Sequence, residues 1–281
     1  MIGALAWAAF IEAGVRLGIP LVLAALGEMV SERAGVLNIG LEGSIIAGAL
    51  GSVLGAMATG SPTMGVLIGA ASGLLVGLVF AVPVVWLNTD QIITGTAVTL
   101  LGLGGTAAIY SAQFGATGAQ LDVPTLDPIR IPLLADIPLI GGAFFDVAPT
   151  VYLTFALAPF LAWFLFRTEW GLEVRAVGED PDAAAAAGLP VRRLRFAAAL
   201  FGTLLAGLAG AHLALAYAGT FAENMSSGRG FIAIAVVVLG RWRPLGVLVA
   251  GLFFGAASAL QFLLQTLGWD IGYQLFLALP Y

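Results

Sequence analysis

A small set of polar side chains lies within apolar stretches of this sequence, where hydrocarbon would otherwise surround them. Amides and hydroxyls at such depth can hydrogen-bond an uncharged polar solute. An ionisable group there usually faces a protein interior or a wet cavity, because exposure to lipid is costly. We take these side chains as candidates for a substrate pathway: Asn38, Glu42, Thr94, Thr96, Thr99 and His212.

Two of these candidates also have a purely structural explanation. Glu42 falls near the start of a predicted helix, where the macrodipole and the free amides of the preceding turn favour a carboxylate. His212 is the single histidine of the chain and stands between Ala211 and Leu213, a setting typical of a hydrogen-bonded helix residue. The structural explanation is the simpler one for both residues, and both remain in the candidate set.

Catalytic chemistry has no support in the sequence. Neither a His/Asp/Glu cluster with metal-ligand spacing nor an arrangement of serine, histidine and acid is present, so we predict no enzyme activity, metal or cofactor. The 11 basic residues are all arginine, and cysteine is absent. Because a Walker A loop requires lysine, ATP would have to be hydrolysed on a partner subunit. Nothing indicates nucleic-acid binding.

The composition predicts the elements that position these residues. The chain has 281 residues, 60% of them hydrophobic and 10% charged, with a mean hydropathy of +1.03. Stretches of about 20 apolar residues predict transmembrane helices, so we expect one all-α transmembrane domain over residues 1–281, a polytopic bundle of about eight or nine membrane segments. The predicted apolar segments are 5–30, 36–58, 64–87, 92–114, 150–166, 196–217, 231–240 and 245–267.

Two of these boundaries need a further interpretation. Segment 231–240 is too short to cross about 30 Å as a helix, so it is either a thin span or a re-entrant piece. The chain ends at Tyr281 just as a further segment begins, and we expect that a final portion is missing.

Arginines in the loops predict the orientation. The loop 167–195 holds five of the 11 arginines, and placing it in the cytoplasm puts eight loop arginines inside and two, Arg130 and Arg229, outside. The proline-rich loop 114–149 is then extracytoplasmic.

Small residues repeat every fourth position in two segments and predict close helix–helix seams there. They are Gly65, Gly69, Gly73 and Gly77, and Gly43, Ala47, Gly51 and Gly55.

The loop 167–195 contains one short helix with strong boundary signals. Asp180 is suited to the N-cap, Pro181 to the first helical position, the following alanines to the helix and Gly188 to the left-handed residue that ends it. The alanines leave a smooth surface that could fit a shallow groove on another protein. The alternative is an ordinary capped helix in a surface loop.

Three stretches resemble the permease subunits of ABC importers for nucleosides and simple sugars, and more distantly the ribose and branched-chain amino-acid permeases. They are SERAGVLNIGLEG at 31–43, RAVGE at 175–179 with the helix after it, and GFIAIAVVVLG at 230–240. They occur in the family's order and cover most of the chain. The second stretch is similar to the family's coupling helix. Where the family usually has a glycine-rich turn after the third stretch, this chain has Arg241-Trp242-Arg243-Pro244.

The resemblance implies a fold like that of type II ABC importers and a place in the bacterial inner membrane. It also implies several partners: an ATPase subunit, a second related permease chain forming a heterodimer, an extracytoplasmic substrate-binding protein and the membrane lipid. It places the ATPase contact at Glu179, Asp180, Pro181, Asp182, Ala185 and Gly188.

Several hypotheses about function follow from the sequence. A nucleoside importer is the first, and an importer of a simple sugar is its nearest alternative. A secondary transporter would need buried carboxylates and broken helices around a midplane site, which only Glu42 and segment 231–240 could supply. A membrane scaffold or signalling anchor is the third alternative.

Overall fold

The described part of the chain is almost entirely helical, as predicted. A computed structural model describes residues 2–115 and 121–266, with side chains described for 7–115 and 121–261. The helices are α1 (Ile2–Arg33), α2 (Leu41–Thr59), α3 (Pro62–Ala81), α4 (Gln91–Phe114), α5 (Gly141–Phe145), α6 (Pro149–Arg167), α7 (Glu169–Glu179), α8 (Pro181–Ala186), α9 (Val191–His212), α10 (Arg229–Leu239) and α11 (Pro244–Thr266).

Smaller elements extend or connect these helices. A π-helical turn continues α3 over Val82–Trp86, and another continues α9 over Leu213–Ala218. Two short strands, β1 (Ile129–Arg130) and β2 (Asp146–Val147), pair in antiparallel register within the proline-rich loop. Much of the remaining described part of this loop is irregular, as its prolines predict.

Seven helices among the described residues are long and apolar enough to cross a membrane. They confirm the predicted polytopic all-α bundle. The eighth apolar helix, α10, has 11 residues and spans about 16 Å, which is only half of a bilayer core. The expected final segment lies outside the described residues, so the count of eight or nine membrane segments stays a prediction.

Helices α1, α2 and α9 form the centre of the bundle, and α3, α10 and α11 pack around them. Helix α4 lies at the edge and contacts chiefly α2. One face of α4 is uncovered, with Ile93 exposed to 72% and Leu100 to 66%. This face is therefore available to lipid or to another chain.

Close packing at the centre depends on glycine, as the four-residue spacing in α3 predicts. On α2 this packing uses Gly48, which is not among the predicted positions. The three helices α2, α3 and α9 meet where Gly48, Gly73 and Gly207 face one another. A Cβ at Gly48 would lie 2.4 Å from the Gly207 carbonyl oxygen, and one at Gly73 would lie 2.5 Å from the Gly207 Cα. Gly43 belongs to a different seam, because its missing Cβ would lie 2.7 Å from the Val98 carbonyl oxygen of α4.

Two predicted boundaries were wrong. Helix α1 continues to Arg33 and α2 begins only at Leu41, so the break between them is later and longer than the predicted polar turn. Gly35 supplies the left-handed residue that ends the helical path, with φ of +81°. Helix α9 begins at Val191, because the arginines that follow Pro190 occupy its first turns rather than a loop.

Candidate functional site

The break between α1 and α2, residues 34–40, folds back along the end of α1; we call it the α1–α2 junction. The Ser31 hydroxyl donates to the Val36 carbonyl at 2.8 Å, and the Val36 N–H donates to the Ser31 carbonyl at 3.0 Å. Further along, the Asn38 N–H donates to Glu28 Oε1 at 2.7 Å. The junction thus returns toward residues of α1 that lie well inside the bundle, and α2 starts there.

Glu42 lies in the first turn of α2 and is 2% exposed. Its two carboxylate oxygens accept hydrogen bonds from backbone amides at the start of α10, which begins beside the start of α2. Oε1 accepts from the Gly228 N–H at 2.8 Å, and Oε2 accepts from the Gly230 N–H at 2.6 Å. One carboxylate therefore serves the free amides at the start of α10 while it stands at the positive end of the α2 dipole.

The approach of α10 to α2 requires glycine at Gly230. A Cβ at this position would lie 2.5 Å from the Glu42 backbone nitrogen. The first and third sequence stretches that resemble the importer permeases meet at this contact. The structure thus explains the first glycine of GFIAIAVVVLG, since a larger residue at Gly230 would push α10 away from the Glu42 carboxylate.

Helix α4 is fastened to the same junction from the other side. The Thr99 hydroxyl donates to the Ile39 carbonyl at 3.0 Å. Asn38, Glu42 and Thr99 therefore all attach to the junction or to the first turn after it. The Asn38 side chain is 1% exposed, and its amide nitrogen and oxygen have no hydrogen-bond partner within the described ranges.

Three candidates from the sequence lie elsewhere. Thr94 bonds Thr89 through its hydroxyl at 2.9 Å, near the α3–α4 turn, and Thr96 bonds the Ile92 carbonyl of its own helix at 2.8 Å on the uncovered face of α4. His212 bonds the Thr150 hydroxyl through Nδ1 at 2.6 Å and lines a cavity of about 190 Å³. The cavity also contains Glu12, Arg16 and Asp146, and these residues are distinct from those of the junction.

Sequence reasoning missed Glu28. Its side chain is fully buried, Oε1 holds the junction through Asn38, and Oε2 has no partner among the described residues. A signal was present, because Glu28 and Glu32 are two carboxylates one helical turn apart at the end of an apolar segment. The predicted end of the first helix near Val30 hid this relation, since it placed the two carboxylates in different elements.

The predicted helix in the arginine-rich loop is present as α8. Asp180 Oδ1 accepts the N–H groups of Asp182 at 3.1 Å and Ala183 at 3.0 Å, and Pro181 is the first helical residue. Gly188 follows with φ of +87°. Ala184 is buried, whereas Glu179, Asp182 and Ala185 are exposed. The helix thus presents a surface of small and acidic side chains.

Helix α7 places this surface directly beneath the junction. Gly178 contacts the end of α1 so closely that a Cβ there would lie 2.1 Å from the Arg33 carbonyl oxygen. From α9, the Arg195 Nε donates to the Ala34 carbonyl at 3.2 Å. The second resembling stretch therefore packs against the first.

The candidate site has no arrangement for bond chemistry. Within residues 2–115 and 121–266, no group of three His, Asp or Glu side chains is placed to hold a metal ion. The polar groups of the junction mostly bond backbone atoms at the ends of helices. The arrangement is suited to holding the ends of neighbouring helices together.

The sequence of this chain matches a known protein family and several known transport proteins. The family model for the permease component of branched-chain amino acid transport systems matches residues 10–279. A putative glucose ABC transporter permease of Haloferax volcanii is 40% identical, over 92% of this chain and 79% of that protein. The guanosine ABC transporter permease of Bacillus subtilis is 40% identical, over 93% of this chain and 85% of that protein. A nucleoside ABC transporter permease of Lactococcus lactis is 34% identical, over 86% and 78%.

Each of these three organisms also has a second permease, named for the same activity, that resembles this chain less. Their identities to this chain are 29%, 28% and 27%, each over 84% of it. No solved structure matches the chain.

The buried carboxylate of Glu42 generates a test of the site's architecture. We expect Glu42→Ala to lower the free energy of unfolding by about 3 kcal/mol or more, because two amides lose a charged acceptor. Glu42→Gln keeps one acceptor oxygen and should lose less. The measurement is thermal unfolding of the purified chain in detergent by circular dichroism. Glu12→Ala, which removes an exposed carboxylate, is the matched control. Equal melting temperatures for Glu42→Ala and Glu12→Ala would contradict the assignment.

Proposed function

Because this chain belongs to the family of permease components of branched-chain amino acid transport systems, we propose that it forms one half of an importer pore for nucleosides. The chain is a multi-pass protein of the inner membrane and the transport subunit of an ABC importer, not an enzyme. The nucleoside and the second half of the pore are the proposed parts of this function.

The similarity to the guanosine and nucleoside permeases carries the proposal for the substrate. It extends over 93% and 86% of this chain. The uncharged amide and hydroxyl groups of Asn38, Thr96 and Thr99 are consistent with a neutral polar solute. A simple sugar is the alternative, since an equally similar relative is named as a putative glucose permease.

The partners follow from what an ABC permease requires. The importer implies an ATPase subunit and a substrate-binding protein, and the absence of lysine leaves this chain without a Walker A loop of its own. We propose that the second half of the pore is a different, related permease chain. The support is the pair of permeases in each of three organisms, one more similar to this chain and one less.

We propose that the uncovered face of α4 lines or borders the substrate pathway together with the junction. Thr96 lies on this face, and among the described residues its hydroxyl bonds the Ile92 carbonyl of its own helix, so it can exchange that bond for a solute. Asn38 is next to Ile39, the partner of Thr99, and its side-chain amide atoms have no partner in the described part of the chain. Thr94, Glu42 and His212 already hold protein partners and are placed second in this proposal.

The proposed orientation places loop 167–195 in the cytoplasm and loop 114–149 outside, within a single permease domain over 1–281. We further propose that α8, with Glu179, Asp180, Pro181, Asp182, Ala185 and Gly188, is the contact for the ATPase subunit.

Uptake by the reconstituted importer tests the proposed substrate. Proteoliposomes containing this chain, its second permease and the ATPase, supplied with the binding protein and ATP, should accumulate radiolabelled guanosine. Excess unlabelled uridine or adenosine should compete with uptake, and excess glucose or leucine should not. Accumulation of glucose or leucine in place of guanosine would overturn the nucleoside assignment, and accumulation without ATP would contradict coupling to an ATPase.

A pair of substitutions in α8 tests the proposed coupling contact. Ala185→Trp adds volume to a surface that we propose is closely packed in the complex, so it should weaken association with the ATPase subunit. Ala185→Gly leaves the surface free but softens the helix by about 1 kcal/mol, so it should reduce transport more than association. Co-purification of the ATPase and guanosine uptake measure the two effects.

The control for added bulk is Ala58→Trp, at an exposed position at the other end of the bundle. It should leave association unchanged. Normal ATPase binding and parental transport by Ala185→Trp would show that α8 is not the coupling element.

A further inference from the structure

The turn between α10 and α11 has an unusual backbone for its residues. Arg241 and Trp242 both lie in the left-handed region, with φ of +56° and +51°. Residues with a Cβ adopt this conformation at an energetic cost, and glycine is the usual choice where only a turn is required. Side chains at these two positions therefore call for an explanation in terms of their contacts.

Trp242 makes three hydrogen bonds to the end of α1. Its indole Nε1–H donates to Glu32 Oε2. Its backbone carbonyl accepts from Arg33 Nε at 3.1 Å and from Arg33 Nη2 at 2.9 Å. The other oxygen of Glu32, Oε1, is buried and has no partner in the described part of the chain. Trp242 thus supplies the one described side-chain hydrogen bond to this carboxylate.

These contacts hold the second end of α10. The first end is held by Glu42, which accepts from the amides of Gly228 and Gly230. The two carboxylates, Glu42 and Glu32, flank the α1–α2 junction on either side. A helix of 11 residues is therefore attached at both ends to a single short piece of backbone.

The loop 167–195, which we call the coupling loop, contacts the same piece of backbone. Gly178 of α7 packs on the Arg33 carbonyl, while the Arg33 side chain holds the Trp242 carbonyl. A continuous series of contacts thus leads from α7 through Arg33 to the turn after α10. Indole and guanidinium bonds with defined directions transmit displacement better than apolar contact alone would.

We infer that Trp242 is a positioning residue that makes α10 move with the coupling loop. The inference rests on the proposed role of α7 and α8 in contacting the ATPase. Phe231, Val238 and Leu239 of α10 are 49%, 51% and 57% exposed, so this chain leaves one face of the helix uncovered. A movement of α10 that follows the ATPase would therefore change the shape of a surface open to the solute or to the second permease.

Trp242→Phe tests this role, because it keeps an aromatic ring and removes the indole N–H. We expect guanosine uptake per ATP hydrolysed to fall roughly tenfold, since a hydrogen bond to a charged group is lost. Glu32→Ala should have the same effect, and the double variant should be no worse than either single one, because both remove the same interaction. Trp163→Phe, at an exposed tryptophan of α6, is the matched control.

The readout separates this role from a structural one. If Trp242 only stabilises the fold, Trp242→Phe would lower the yield and melting temperature of the complex while surviving complexes keep the parental ratio of uptake to ATP hydrolysis. That result would overturn the inference, as would additive effects of the two single substitutions. A parental complex that hydrolyses ATP without any guanosine uptake would instead contradict the proposed substrate, and the ratio would then be measured with the solute that is transported.

Discussion

The architecture of this permease depends on how backbone amides are satisfied at helix ends inside an apolar bundle. Helices α2 and α10 begin beside each other at Glu42 and Gly230, which are both buried, and hydrocarbon offers no water for free N–H groups. Glu42 solves this for α10 by accepting two amides, and Glu28 holds the Asn38 amide just before α2. Removal of either carboxylate would leave buried donors unpaired.

This constraint explains why glycine recurs around the junction. A carboxylate can reach an amide on another helix only when the two backbones approach closely, and Gly230 permits that approach beside Glu42. Gly178 permits the equivalent approach of α7 to Arg33. The same short segment therefore contacts Thr99 of α4 on one side and Gly178 of α7 on the other.

Much of the fold was predictable from the sequence, for reasons that particular residues make clear. Apolar stretches predicted the membrane spans because the mean hydropathy is taken over about 20 residues, so single polar residues change it little. Asp180, Pro181 and Gly188 predicted α8 because each favours the start or the end of a helix through its own backbone and nearest neighbours. The path of residues 34–40 was not predictable, since it depends on Glu28, which is distant along α1. The meeting of Glu42 with Gly230 involves a separation of 188 residues, and periodicity holds no information about such contacts. Thr94, Thr96 and Thr99 looked equivalent in sequence, yet only Thr99 faces the junction.

The central claim is that the coupling loop, the junction and α10 move together. The chain has no native cysteine, so spin labels can be attached at Leu172→Cys in α7 and Val238→Cys in α10, which are exposed positions. Pulsed electron–electron double resonance in the assembled importer would compare nucleotide-free and ATP-bound states, with and without Trp242→Phe. We predict that the Leu172–Val238 distance is the same in both states when Trp242 is present and differs between them in Trp242→Phe. A Leu172–Val238 distance that changes between the two states when Trp242 is present would contradict the account.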